Sequence, residues 1–69
     1  MRTSAEQVLR DAVRDHHPNE SFEKSLARAV KEHQGTYQDY IELIGLVRER
    51  AKKEKAPLSD AAKALAAEL

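Results

Sequence analysis

The chain has 69 residues, 12 of them lysine or arginine and 12 aspartate or glutamate, so its formal net charge is zero. This balance excludes the strong positive excess that is typical of general nucleic-acid binders and membrane-surface binders. The sequence has no cysteine, and its apolar runs fall far short of the roughly 20 residues that cross a bilayer. We therefore predict one small cytoplasmic domain over residues 1–69, without disulfides and without a signal peptide.

The first predicted helix covers residues 4–16. Ser4 and Gln7 have the spacing of a capping box, in which each side chain satisfies a backbone N–H of the first turn. Pro18 disfavours helical geometry in the residue before it and ends the helix. Residues spaced by three and four give this helix one apolar face, which consists of Ala5, Val8, Leu9, Ala12 and Val13.

The second predicted helix covers residues 20–34. Asn19 or Ser21 is its predicted N-cap. Gly35 is the predicted stop, because a positive φ at a helix C-terminus costs glycine nothing. The residues that share one face are Phe22, Leu26, Ala29, Val30 and His33.

The third predicted helix covers residues 36–54 and begins with Thr36 as N-cap and Asp39 in its first turn. Residues 37–47 hold the densest apolar material of the chain, and Leu43 and Leu46 widen the apolar stripe. A glycine inside a helix costs about 1 kcal/mol relative to alanine, so we expect Gly45 to mark the close approach of another helix. The stripe consists of Tyr37, Tyr40, Ile41, Ile44, Val47 and Ala51.

The fourth predicted helix covers residues 59–68, with Ser59 as N-cap and an alanine-rich surface. The four elements together predict an all-α fold, a small four-helix bundle of three helices plus a short C-terminal helix, with helix three central. The predicted core residues are Tyr37, Tyr40, Ile41, Ile44, Val47 and Leu65.

The residues capable of chemistry are scattered, and each has a simpler structural interpretation. His16 and His17 contain metal-binding atoms, but adjacent histidines usually point apart, and here they suit a helix C-terminus. Ser4, Ser21 and Ser59 stand at predicted N-caps. The only two glycines form no phosphate-binding loop. We therefore predict no catalytic residue, no metal site and no cofactor, and a protein that is not an enzyme.

A basic segment ends the third helix and supports an alternative function. Five cations stand against two carboxylates there, an excess of three that could contact phosphates. Residues 47–69, in which a basic helix leads through a short turn into a small alanine-bearing helix, resemble the opening of a helix-turn-helix repressor. The resemblance implies a small nucleic-acid-binding transcriptional regulator, although the recognition helix that should follow Leu65 is missing before Leu69. The cations are Arg48, Arg50, Lys52, Lys53 and Lys55.

The main functional prediction is binding to a partner protein or to a second copy of the chain. Helix three has more apolar surface than one antiparallel neighbour covers, and helix four has a back side of small residues. In the alternative arrangement, the other three helices wrap helix three on all sides in a monomer. The predicted interaction surface consists of Tyr40, Leu43, Leu46, Ala64 and Ala67.

Overall fold

Four α-helices make up most of residues 4–68, the part of the chain that the computed structural model describes. They are α1 (Ala5–Arg14), α2 (Phe22–Glu32), α3 (Tyr37–Glu54) and α4 (Leu58–Glu68). No strand occurs in this range. Every helix contacts the other three, with α1 packed mainly against α2 and α4, and α3 mainly against α4. The predicted all-α four-helix bundle is confirmed, and each helix begins and ends within two residues of its predicted bounds.

Side-chain caps fix the beginnings of the first three helices. The Oγ of Ser4 accepts a hydrogen bond from the backbone N–H of Gln7 at 3.2 Å, and Ser21 caps α2 in the same way. Thr36 and Asp39 form a full capping box at the start of α3. In that box the backbone N–H of Thr36 donates to the Asp39 carboxylate at 2.7 Å and lowers the pKa of Asp39.

Three predicted details of the helix ends are wrong. The Gln7 side chain donates to Asp11 Oδ1 at 2.9 Å instead of reaching back to the first turn. The left-handed residue after α2 is Gln34, with φ 60°, and not Gly35. The chain therefore turns one residue earlier than the glycine indicates. Helix α4 begins one residue before Ser59, which lies in the first turn and is not the N-cap.

The core is built from aliphatic side chains, alanines and one phenylalanine. Ile44 and Val47 lie in it as predicted, and Tyr40 is half-buried against it, as is Leu65. Compared with the prediction, helix α3 is rotated about its axis. Leu43 faces the core, and Tyr37 and Ile41 of the predicted stripe do not. The buried apolar residues are Val8, Leu9, Ala12, Phe22, Leu26, Ala29, Val30, Leu43, Ile44, Val47, Ala61, Ala62 and Ala66.

Helix α3 keeps a large part of its surface exposed. Only three of its 18 residues are buried, so the other helices do not wrap it on all sides. A Cβ built on Gly45 meets no heavy atom within 4 Å. The predicted close approach of another helix at Gly45 is therefore wrong for the described chain.

Candidate interaction surface

A groove runs between α2 and α3, which lie side by side in opposite directions. At one end of it, Nη2 of Arg48 donates to Oε2 of Glu23 at 2.8 Å, which joins the second half of α3 to the start of α2. At the other end a cavity of about 450 Å³ opens beside the turn that connects the helices. We call this feature the α2–α3 groove. Its cavity is lined by Ala27, Val30, Lys31, Gly35, Thr36, Tyr37 and Tyr40.

Two large apolar side chains stand exposed on one side of α3, and one of them, Tyr37, lines the cavity. Tyr37 is 76% exposed and Ile41 is 40% exposed, so their prediction as core residues is wrong. They are four residues apart and therefore lie on the same side of the helix. The ring of Tyr37 stacks against that of Tyr40, with centroids 6.0 Å apart and planes at 28°. Tyr40 is half-buried against the core, so its stacking with Tyr37 holds the exposed Tyr37 ring in a defined position.

The other residues predicted for an interaction surface fall into separate places. Leu43 is 3% exposed and belongs to the core, so it cannot contact a partner, and that prediction is wrong. Leu46 is 52% exposed but lies five residues from Ile41, on a different side of α3. Ala64 is half-buried and Ala67 exposed on α4, outside the lining of the groove. Of the predicted set, only Tyr40 lies at the α2–α3 groove.

The basic segment is partly neutralised by carboxylates of its own chain. Arg48 is bound to Glu23 of α2, as described above. Arg50 donates to Glu68 of α4 and, at 2.7 Å, to Glu54. Hydrogen bonds to Glu68 and Glu54 raise the pKa of Arg50, whose side chain is only 20% exposed. Both arginines therefore hold helices together. The remaining cations of the segment are exposed, and they are Lys52, Lys53 and Lys55.

A polar cluster between α1 and α2 brings serine, histidine and glutamate together, and the sequence analysis missed it. His16 Nδ1 lies 2.8 Å from Ser25 Oγ, and Ser25 Oγ donates to Glu20 Oε1 at 2.7 Å. Because the single hydroxyl hydrogen of Ser25 is given to Glu20, the imidazole nitrogen is the donor in the other contact. His16 therefore cannot take a proton from Ser25, which is also 2% exposed. These hydrogen bonds stabilise the fold and do not activate Ser25 as a nucleophile.

Arg28 completes this cluster from the other side of Glu20. Its guanidinium donates to both carboxylate oxygens, at 3.2 and 2.6 Å. These bonds, together with the hydroxyl of Ser25, lower the pKa of Glu20 to about 2. Glu20 lies in the turn before α2 and Ser25 lies near the start of α2. Helical spacing in the sequence therefore does not predict their contact.

A second cavity, of about 430 Å³, lies beside the polar cluster. Its walls mix cations and carboxylates, and its two arginines are already bound to Asp15 and Glu20. Within residues 4–68, no group of three histidine or carboxylate side chains is placed to hold a metal ion. His33, the third histidine, contacts Asp11. The cavity is lined by Arg14, Asp15, His16, His17, Arg28 and Glu32.

No protein-family model, curated protein sequence or solved structure matches this chain. In the described range, no helix has both the length and the apolar character that crossing a membrane requires. At the α2–α3 groove, an exposed large apolar side chain, that of Tyr37, lines a concave surface.

Proposed function

We propose that this protein acts by binding another protein chain in the α2–α3 groove, and that it does so without catalysing a reaction. The observation that carries the proposal is the exposed side chain of Tyr37 in the lining of a cavity, with the exposed Ile41 one turn further along the same side of α3. Exposed apolar residues that line a concave surface are typical of binding sites, whereas single scattered ones are ordinary.

The energetics favour an apolar partner surface. Removing one large apolar side chain from water is worth about 1.5–3 kcal/mol. Tyr37 and Ile41 already stand on a rigid helix, and Tyr37 is further held by its stack with Tyr40. A partner would therefore gain apolar burial at a low cost in side-chain ordering. The shape, a trough between two antiparallel helices, suits the apolar face of another helix.

Two observations favour protein binding over catalysis and over nucleic-acid binding. Ser25, the serine nearest to a histidine, is buried and donates its hydrogen to Glu20, which does not favour nucleophilic catalysis. The nucleic-acid alternative requires five cations that are available for phosphate contacts. Two of them, Arg48 and Arg50, are instead bound to carboxylates of neighbouring helices. Three exposed lysines remain, a small number for phosphate binding.

Photo-crosslinking at the groove tests the proposal. The amino acid p-benzoylphenylalanine replaces Ile41, and the full chain is irradiated in the cells that produce it. We expect a discrete covalent adduct with a protein, whose yield falls when Tyr37→Glu is added. The matched control carries the same photoreactive group in place of Lys63, which is exposed on α4. The absence of an adduct from position 41, or an equal adduct from position 63, would overturn the proposal.

A further inference from the structure

Three exposed lysines stand along the α2–α3 groove. Lys31 lines the cavity. Lys24 precedes it by seven residues, so it lies about 20° from Lys31 around α2 and about 10.5 Å from it along the axis. The third lysine, Lys52, belongs to α3. Within residues 4–68, the side chains of these three lysines form no ion pair or hydrogen bond.

Two contacts fix which side of α3 faces the groove. Tyr37 lines the cavity, and Arg48 binds Glu23 of α2. At about 100° per residue, Ile41 lies within about 20° of Arg48 around the helix, and Lys52 lies within about 40° of it. Ile41 and Lys52 are therefore on the same side of α3 as the residues that contact α2 and line the cavity.

The carboxylates of α2 and α3 do not offset the charge of these lysines. Glu23, which lies at the groove, is already bound to Arg48. Glu42 and Glu49 lie about 100–120° from Arg48 around α3, on its outward surface. Glu32 lines the second cavity, on the other side of α2. Because the whole chain has no net charge, the excess of positive charge belongs to the groove and not to the protein in general.

We infer that the α2–α3 groove binds an acidic amphipathic helix of a different protein. This inference rests on the proposed function and names the chemistry of the partner. Apolar side chains of that helix would cover Tyr37 and Ile41, and carboxylates on its flanks would face the three lysines. Two carboxylates seven residues apart on the partner helix repeat the spacing of about 10.5 Å between Lys24 and Lys31. Apolar burial supplies the affinity, whereas the ion pairs select the partner.

The same charges disfavour two other occupants. If two copies of the chain met groove to groove, their lysines would face each other, and facing like charges oppose association. An anionic membrane would attract the lysines, but it presents a flat surface that does not enter the cavity beside Tyr37. A separate helix with acidic flanks meets both the shape and the charge of the groove.

A pair of synthetic helical peptides tests the inference on the purified full-length chain. The acidic peptide carries leucines along one face and glutamates on both flanks, two of them seven residues apart. The basic peptide has lysine in place of every glutamate. In fluorescence anisotropy at low ionic strength, we expect the acidic peptide to bind about tenfold more tightly than the basic one, with a smaller difference at high salt.

The variant K24E/K31E should reverse this preference, because its groove then attracts the basic peptide. The matched control K53E/K63E changes two exposed lysines away from the groove and should keep the wild-type preference. The variant Y37S/I41S should bind both peptides more weakly, since it removes the apolar contacts. Circular dichroism checks that every variant keeps its helices.

The inference would be overturned if the acidic peptide did not bind, if both peptides bound equally, or if K24E/K31E kept the wild-type preference. Stronger binding to phosphatidylserine vesicles than to the acidic peptide would also overturn it, as would a second copy of the chain in the adduct from position 41. The Ile41 crosslink judges the proposed function separately. An adduct with another protein whose yield is unchanged in K24E/K31E would support the groove and exclude the acidic helix.

Discussion

His33 Nε2 lies 2.6 Å from Asp11 Oδ2, and this contact joins the end of α2 to the middle of α1 across 22 residues of chain. The second oxygen of Asp11 accepts from Gln7 at 2.9 Å. Burial raises the pKa of Asp11, but the hydrogen bonds from His33 and Gln7 and the charge of Arg14 together lower it below its ordinary value. A carboxylate that is 8% exposed is therefore held ionised by donors from two helices.

We expect His33→Ala to destabilise the fold by about 1–3 kcal/mol, because it leaves a buried carboxylate with one donor fewer. Urea denaturation followed by circular dichroism at pH 7 measures the loss. In the double variant with Asp11→Asn, the two losses should be less than additive, since both remove the same contact. His17→Ala, at an exposed position, is the control and should change stability by less than about 0.5 kcal/mol. Equal effects of the two histidine variants would contradict the structural role of His33.

Glu20 gives the protein a defined sensitivity to acid. Hydrogen bonds from Arg28 and Ser25 lower its pKa from 4.5 to about 2 in the folded chain. A group whose folded pKa is lowered stabilises the fold fully above its unfolded pKa and loses that contribution as the pH falls. We therefore expect stability to decline between pH 4.5 and about 2 through Glu20.

The variant Glu20→Gln isolates this effect. It removes the ionisable group, so the slope of unfolding free energy against pH should become shallower in the same window. Ser25→Ala removes one of the two donors and should reduce the slope only in part. Denaturant titrations at a series of pH values measure both slopes. A Glu20→Gln slope equal to that of the wild type would show that the Glu20 cluster does not carry the acid sensitivity.

The local features of this fold follow from the sequence because their causes are local. Ser4, Ser21 and Thr36 each lie three residues before the backbone N–H that they cap, so a short motif predicted the first and third helix starts and narrowed the second to Asn19 or Ser21. The all-α class follows from the same short-range spacing. The left-handed residue after α2 escaped prediction, because Gln34 adopts a conformation that the sequence assigns to the glycine beside it.

The rotation of α3 depends on tertiary packing, and the sequence left it open. Tyr37 and Ile41 form one possible stripe with Ile44, while Leu43 forms another with Ile44 and Val47. Both have helical spacing, and only the neighbouring helices decide which one turns inward. The packed structure selects the stripe with Leu43, since those side chains are at most 3% exposed.

The candidate site is likewise a tertiary feature. The α2–α3 groove exists because two helices lie side by side, and no single helical pattern contains it. The arginines of the basic segment illustrate the same limit. Arg50 is bound to Glu68, 18 residues away, and Arg48 to Glu23, 25 residues away. From the sequence, both arginines were predicted to be available for phosphate contacts, and only the fold shows which carboxylates they bind.

Replacement of Gly45 by alanine is expected to stabilise the fold. Gly45 lies inside α3 without a positive φ, and a Cβ at this position meets no heavy atom within 4 Å. Glycine loses more backbone entropy in a helix than alanine does, so Gly45→Ala should stabilise the fold by about 0.5–1 kcal/mol. Urea denaturation followed by circular dichroism measures the change in stability. A loss of stability under these conditions would mean that the described packing around α3 is wrong.

The three exposed lysines of the basic segment allow a direct check of the nucleic-acid alternative. Three phosphate contacts give a slope of only about −2.7 in log affinity against log salt, so we expect no shift of a DNA duplex in a mobility assay at 0.15 M salt. The informative variant is K52E/K53E/K55E. Reversal of Arg50 would be ambiguous, because it would also break the contact between α3 and Glu68 of α4. A shift of the wild type at 0.15 M salt that disappears in the triple lysine variant, with helicity unchanged, would establish nucleic-acid binding in place of the proposed function.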